Sequence, residues 1–233
     1  MVWSQNTNSS KNAVSGSIEL SWQPEGALTA LYISSDDRVI NINIALHFHF
    51  MVKIVGIAGS LRPDSHSQIA LQIAAQKVQA LGAEVEILDL RQMDLPFCDG
   101  GSDYPNHPDV KRMQDAFSRA DGLILVSPEY HGSISGVLKN ALDLMSFEQL
   151  SGKVSGFISI LGGQSNSNAL NDLRLILRWV HAWSIPEQVA IGQAYQAFTP
   201  EGKLVDEKLS KRLDVFAQSL VDNTRKLRGI DRA

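Results

Sequence analysis

The sequence predicts an α/β protein whose main domain is a doubly wound, five-stranded parallel sheet with helices on both faces. Three observations carry that expectation. From Met51 onward, short apolar runs of strand length alternate with longer stretches in which apolar residues recur at helical spacing. Alternation of that kind calls for parallel strands joined by crossovers, so helices lie over both sides of the sheet. The run at 122–126, Gly-Leu-Ile-Leu-Val, is apolar almost throughout, as in a strand buried on both faces. Five such strands fit the order 2-1-3-4-5.

Residues 52–58 form the first strand, closed by Gly59 and Ser60. Residues 67–81 follow as a helix, with Ile69, Ala70, Ile73, Ala74, Val78 and Leu81 at helical spacing and Gly82 placed to end it. Residues 84–90 are the second strand, with Val85, Ile87 and Leu88 set among acids. The stretch 96–108 contains Pro96, Gly100, Gly101, Pro105 and Pro108 and reads as a loop. Residues 109–119 are an amphipathic helix on Val110, Met113 and Phe117. The third strand, 122–126, leads through a loop at 127–133 into a helix at 135–147. The fourth strand is 154–161, followed by a helix at 168–183, a fifth strand at 189–191 and a final helix at 206–227.

The first fifty residues read differently. They are rich in Ser, Asn and Gln, with no charged start leading into an apolar signal. Residues 1–50 are therefore expected to be a weakly ordered extension, or to lie upstream of a true start at Met51, and 51–228 to be the domain. Within the extension, 39–50 alternates enough for a strand or hairpin arm, and His47 and His49 could share a face. No third ligand accompanies them, so no metal site is expected.

Composition narrows the function classes. A net charge of −4 without a basic block argues against nucleic-acid binding. The single Cys98 excludes an internal disulfide and suits a reducing cytoplasm. No apolar run approaches the roughly 18 residues of a membrane span.

In a sheet of this kind, ligands sit beyond the carboxyl ends of the strands. Three loops leave those ends. The first, 59–67, holds Ser60, Arg62, Ser65, His66 and Ser67 at a helix start, where free N–H groups and hydroxyls make an anion site and an arginine fork matches phosphate. Simple capping by Ser65 or Ser67, with Arg62 in solvent, is equally open. No Gly-Lys-Ser/Thr stands here, and the close glycine pair of a dinucleotide fingerprint is missing, although Asp89 lies near the distance for a ribose contact. The second loop, 127–133, presents Pro128, Glu129, Tyr130 and His131 before Gly132: backbone donors and one ring, suited to the edge of a flat polar heterocycle or to an ordinary turn. The third, Gly162-Gly163-Gln164-Ser165-Asn166-Ser167, allows close backbone approach or mere flexibility.

These motifs together resemble the NADPH-dependent FMN reductase family. Gly59-Ser60-Leu61-Arg62 followed by Ser65 is similar to its phosphate loop, and the segment from Ser127 to Asp143, containing Pro128-Glu129-Tyr130-His131-Gly132, to its most diagnostic stretch, with His131 where Asn is common. Leu95-Pro96, Gly162-Gly163 and the segment around Gly202-Lys203-Leu204 also correspond. The resemblance covers residues 51 to about 227 and implies a flavodoxin-like fold. It implies that Ser60, Arg62, Ser65, Ser67 and the adjoining Gln68 hold the phosphate of FMN. Pro128, Glu129, Tyr130 and His131 would line the isoalloxazine, largely through backbone, and Gly162, Gly163 and Gln164 would approach its other edge. The third loop departs from the family's Gly-Gly-Ala-Arg, leaving the nicotinamide or acceptor side undefined. Arg174 and Arg178 read as helix-face or subunit-contact residues.

The resemblance further implies an oxidoreductase in which NADPH or NADH passes hydride to bound FMN, and reduced flavin passes it to a flavin, quinone, azo or nitro compound or metal oxyanion by a ping-pong scheme. No side chain is assigned as catalytic acid or base. It also implies a homodimer or homotetramer in the cytoplasm. The alternative is a flavodoxin-type electron carrier without NAD(P)H oxidoreductase activity, which the modest net charge does not favour.

Overall fold

The structure, a computed structural model, describes residues 16–22, 27–34, 39–47, 51–101, 103–164 and 167–229. The chain divides at Met51 into two units, each taken by itself. In the first, β1 (Gly16–Trp22), β2 (Ala27–Ser34) and β3 (Val39–His47) form an antiparallel sheet in chain order. The β2–β3 register shifts between Leu28 and Ala30. The strand expected within 39–50 is β3; His47 is its last residue and His49 lies outside the described residues.

The second unit begins with β4 (Lys53–Ala58), then α1 (His66–Ala80), β5 (Glu84–Leu88) and a single 3-10 turn at Leu90–Gln92. Next come α2 (Pro108–Arg119), β6 (Gly122–Tyr130), the two-residue β7 (Ser133–Ile134), α3 (Gly136–Asp143) and α4 (Phe147–Leu150). The unit closes with β8 (Val154–Ile160), α5 (Asn168–Trp179), β9 (Trp183–Ile191), α6 (Ala194–Ala197) and α7 (Glu207–Arg228). The sheet runs β5-β4-β6-β8-β9, all neighbours parallel, with β7 added antiparallel to β6. Counting the parallel strands from β4, that is the expected order 2-1-3-4-5, and the fold is flavodoxin-like.

Helices α1 and α7 pack on one face, and α2, α3 and α5 on the other, over Val55, Ile57, Phe117, Leu123, Leu125, Leu138, Phe157 and Leu173. Those side chains are fully or almost fully buried, and their removal from water is the main force behind the fold. Gly156 in β8 is a packing glycine: a Cβ there would stand 2.5 Å from the Phe216 ring of α7.

Four boundaries differ from the sequence expectation by more than two residues, and the second strand stops at Leu88, short of the 3-10 turn. The third strand runs on to Tyr130 because Ser127–Tyr130 pairs with β8 and then with β7. The helix expected at 135–147 stops at Asp143, and Ser146 opens α4 with a capping box to Gln149. The helix at 168–183 ends at Trp179, before His181 at φ 61°. The fifth strand begins at Trp183 rather than Val189, although it contains Pro186. An edge strand tolerates that proline, and the register shift between Ser155 and Phe157 places it in a bulge.

Arg174 serves that bulge. Its Nη2 donates to the carbonyls of Ile185 and Pro186 at 2.9 and 3.0 Å, and its Nε to Gln188. The guanidinium lies over Phe157, and burial lowers its pKa from the ordinary value. This arginine is therefore part of the sheet edge, not a solvated helix face.

Candidate functional site

The carboxyl ends of β4, β6 and β8 bring the three loops to one cleft. It is lined by Ser60, Arg62, Ser65, Ser67, Pro128, Glu129, Tyr130 and Gly162 from the expected set, joined by Asp64, His66, Ile160, Ala194 and Tyr195. Gly163 and Gln164 line an adjoining cavity with Gln193 and Gln196, and Gly162 and Tyr195 border both. Two expected residues do not reach either. Gln68 sits in the first turn of α1, buried, its N–H donating to Ser65 Oγ. His131 is exposed at the tip of the β6–β7 turn.

The first loop leaves β4 under tight constraint. Gly59 N–H donates to Val126 O at 2.8 Å, and a Cβ on Gly59 would stand 2.4 Å from Ser135 Oγ and 2.6 Å from Leu138 Cβ. This glycine lets the loop pass against the start of α3. Ser65 is the N-cap of α1; having accepted from Gln68, its hydroxyl keeps its own hydrogen to donate. The amides of His66 and Ser67 begin the helix and have no intrahelical carbonyl to meet. They lie at the positive end of the α1 dipole, beside the buried Ser60 and Ser67, an arrangement whose chemistry suits an anion.

Arg62 stands at the mouth, fully exposed, and its Nη1 donates to Tyr195 Oη at 3.3 Å. The hydrogen bond to Tyr195 raises its pKa from the ordinary value. The loop is also tied from outside. Arg91 grips Asp89 through Nε at 2.8 Å and Nη2 at 2.6 Å, and donates from Nη1 to Pro63 O at 3.1 Å. The Arg91 guanidinium holds the Asp89 carboxyl below the usual carboxylate range. Asp89 is thus committed to the loop's support and not placed for a ribose.

The second loop presents its backbone. Glu129 is buried, and its carboxylate accepts the N–H of Ala169 at 3.3 Å, which caps the start of α5. Ser127 Oγ accepts from Ser135 N–H at 3.0 Å and donates to Pro128 O at 2.8 Å, bracing the strand end. His131 and Gly132 have φ of 52° and 77° between the paired residues Tyr130 and Ser133. Two positive-φ central residues define a two-residue turn of the type that favours Asn-Gly. His131 therefore occupies a left-handed position that Asn would tolerate more readily.

The third loop is open. Nothing lies within 4 Å of where a Cβ on Gly163 would stand, and one on Gly162 would meet only the Tyr195 ring at 3.5 Å. Neither glycine is required by packing, which leaves room for a flat ligand at that edge. Ser165 and Asn166 lie outside the described residues. The loop is joined to α6 by Gln193 N–H to Gly163 O at 2.6 Å and Ala194 N–H to Leu161 O at 3.1 Å. Tyr195 is the functional candidate that the sequence did not single out: no motif surrounds it, and it reaches the cleft only because β9 ends beside β8.

A doubly wound parallel sheet of this order, with a polar cleft beyond the carboxyl ends of its central strands, places the unit among flavodoxin-like proteins. The model of the NADPH-dependent FMN reductase family matches residues 52–196, which include all three loops. The chain is 33% identical over 175 residues to the NADPH-dependent FMN reductase ArsH of Shigella flexneri, covering 73% of this chain and 68% of that one. It is 35% identical over 185 residues to the NAD(P)H-dependent FMN reductase PA1204 of Pseudomonas aeruginosa, covering 76% and 98%. Among solved structures, the flavoenzyme NAD(P)H:(acceptor) oxidoreductase FerB of Paracoccus denitrificans superposes with a TM-score of 0.62 at 25% identity, over 76% of this chain and 98% of that one. The chain belongs to the NADPH-dependent FMN reductase family, and so to a group of NAD(P)H-dependent flavin enzymes rather than of passive carriers.

Proposed function

We propose that residues 51–228 form an FMN-binding reductase domain, with residues 1–50 an appendage to it, and that the cleft at the carboxyl ends of β4, β6 and β8 is its flavin site. The observation that carries this reading is the convergence of the α1 N-terminus, Arg62, the Pro128–Tyr130 backbone edge and Gly162 on one cleft. In this reading the amides of His66 and Ser67, the hydroxyls of Ser60, Ser65 and Ser67, and Arg62 bind the phosphate. Pro128, Glu129 and Tyr130 orient the ring system through their main chain. Gly162, Gly163 and Gln164 leave access to its far edge. Gln68 and His131 act indirectly, Gln68 by completing the cap at Ser65 and His131 by shaping the turn.

Bound FMN supplies two-electron chemistry, accepting from NAD(P)H and then reducing a second molecule in alternation. The open third loop and the cavity beside it accommodate donor and acceptor in turn, which favours ping-pong kinetics. Flavin, quinone, azo or nitro compounds and metal oxyanions are the acceptor classes; a Staphylococcus aureus relative, 31% identical over 171 residues, is named an FMN-dependent NADPH-azoreductase. Anaerobic titration of FMN-loaded protein with NADPH and NADH tests the reading. Bleaching of the flavin band, followed by recovery with an acceptor and parallel-line initial-rate plots, is expected. Protein that fails to bind FMN, or whose FMN is not bleached by either dinucleotide, sinks it.

Assembly into a homodimer or homotetramer is part of the same proposal. It draws on Leu175 and Trp179 of α5 and Trp183 of β9, large apolar residues that are exposed, whereas Phe216 belongs to the core.

A further inference from the structure

We propose that Tyr195 is a specificity-determining residue of the flavin site, holding Arg62 for a phosphate monoester and so favouring FMN over riboflavin; this rests on the flavin reading of the cleft. Tyr195 is separated from the phosphate loop by more than 130 residues, yet Arg62 Nη1 donates to its hydroxyl at 3.3 Å. A phenol that accepts from a guanidinium has its own O–H left to donate. Its natural partner is an anion already facing Arg62.

The ring is held for this role. His66, the first residue of α1, meets Tyr195 edge-on at 5.4 Å and an interplanar angle of 88°. His66 is in turn stacked against Phe198, at 5.5 Å and 11°. The backbone just before it is anchored to Gly163 and Leu161 through the N–H groups of Gln193 and Ala194. Tyr195 therefore joins the phosphate loop to the glycine loop, bordering both cavities while remaining 68% exposed in the cleft mouth. An exposed large ring held by one aromatic and one polar contact is not accounted for by core packing. Arg62 is otherwise fully exposed, and a long cation in solvent loses much of its effect to side-chain freedom. Fixing it through Tyr195 removes part of that loss.

The test is a double-mutant cycle read by flavin fluorescence quenching, with FMN and riboflavin as the two probes. Wild type, Tyr195→Phe, Arg62→Ala and the double variant are titrated with each. Wild type is expected to bind FMN more tightly than riboflavin. Tyr195→Phe keeps the ring and is expected to weaken FMN roughly three- to tenfold, the range of one hydrogen bond, with riboflavin unchanged. In the Arg62→Ala background the same change is expected to cost FMN little further. The proposal is overturned if Tyr195→Phe binds FMN as wild type does, if it weakens both flavins equally, or if its cost persists undiminished without Arg62. Tyr195→Ala separates the ring from the hydroxyl: a loss for both flavins on top of the Phe effect is expected from removal of the cleft wall. Wild-type protein that binds neither flavin overturns the site assignment itself, and this proposal with it.

Discussion

At the scale of single residues, the structure separates side chains that line the cleft from those that shape the backbone around it. Arg62 makes one side-chain hydrogen bond and has no burial to lose, so Arg62→Ala is expected to weaken FMN roughly tenfold. The midpoint of urea unfolding of the flavin-free protein is expected to stay where it was. His131 is the opposite case. It reaches no cavity, and its positive φ costs an ordinary side chain of the order of 1 kcal/mol. His131→Asn is expected to stabilise the protein by up to about 1 kcal/mol in urea denaturation, with flavin bleaching intact. A large loss of turnover in that variant would instead give the imidazole a chemical role. Arg174, named from sequence as a surface group, is a hydrogen-bond donor to three partners at the β9 bulge. Its removal strips two carbonyls of their donor, and Arg174→Ala is expected to cost roughly 1–3 kcal/mol in the same measurement.

At the scale of elements, the phosphate loop is positioned by its neighbours more than by its own sequence. Gly59 was legible as a loop residue, but its need comes from the start of α3. Gly59→Ala forces a Cβ onto Ser135 and Leu138 and is expected to cost roughly 1–3 kcal/mol and to displace the loop. The loop's outer tie is pH-dependent. Asp89 has a lowered folded-state pKa, so the folded protein binds its proton less readily than the unfolded chain does. Its contribution is complete above the unfolded carboxylate value and is lost as pH falls through the folded value, below about 3.8. Comparing wild type with Asp89→Asn across pH 2.5–7 by chemical denaturation should show a constant gap near neutrality that closes under strong acid. A gap that widened as pH fell would contradict the assignment. The strand and helix boundaries that shifted have the same kind of cause. The extension of β6 to Tyr130 and of β9 back to Trp183 depends on hydrogen bonding to β8 and β7, which local propensity does not report.

At the scale of the whole molecule, the second unit was read largely from periodicity. Continuous apolar strands and amphipathic helices are local records of two-sided burial, so the layering followed from residues 52–227 alone, while the strand order only fitted that pattern until the structure gave it. The two loops that line the cleft, Ser60 to Ser67 and Pro128 to Tyr130, were legible for a related reason: their short polar and Gly/Pro-bearing patterns sit at strand ends. Assembly belongs to this scale too. If the exposed Leu175, Trp179 and Trp183 are covered by a second copy, light scattering should give at least twice the monomer mass, and Trp179→Glu should lower it. A wild-type monomer at micromolar concentration would refute that part of the proposal. By itself the sequence determined the fold class, the family and the three loops, because each is written in contiguous residues. Only the tertiary structure decided that Tyr195 faces Arg62, that Arg91 and Asp89 brace Pro63, that Glu129 turns inward to cap α5 and that Gln68 and His131 stay out of the cleft. Those are contacts between segments far apart in the chain or choices of side-chain direction, and both are fixed by packing of the whole sheet rather than by any local pattern.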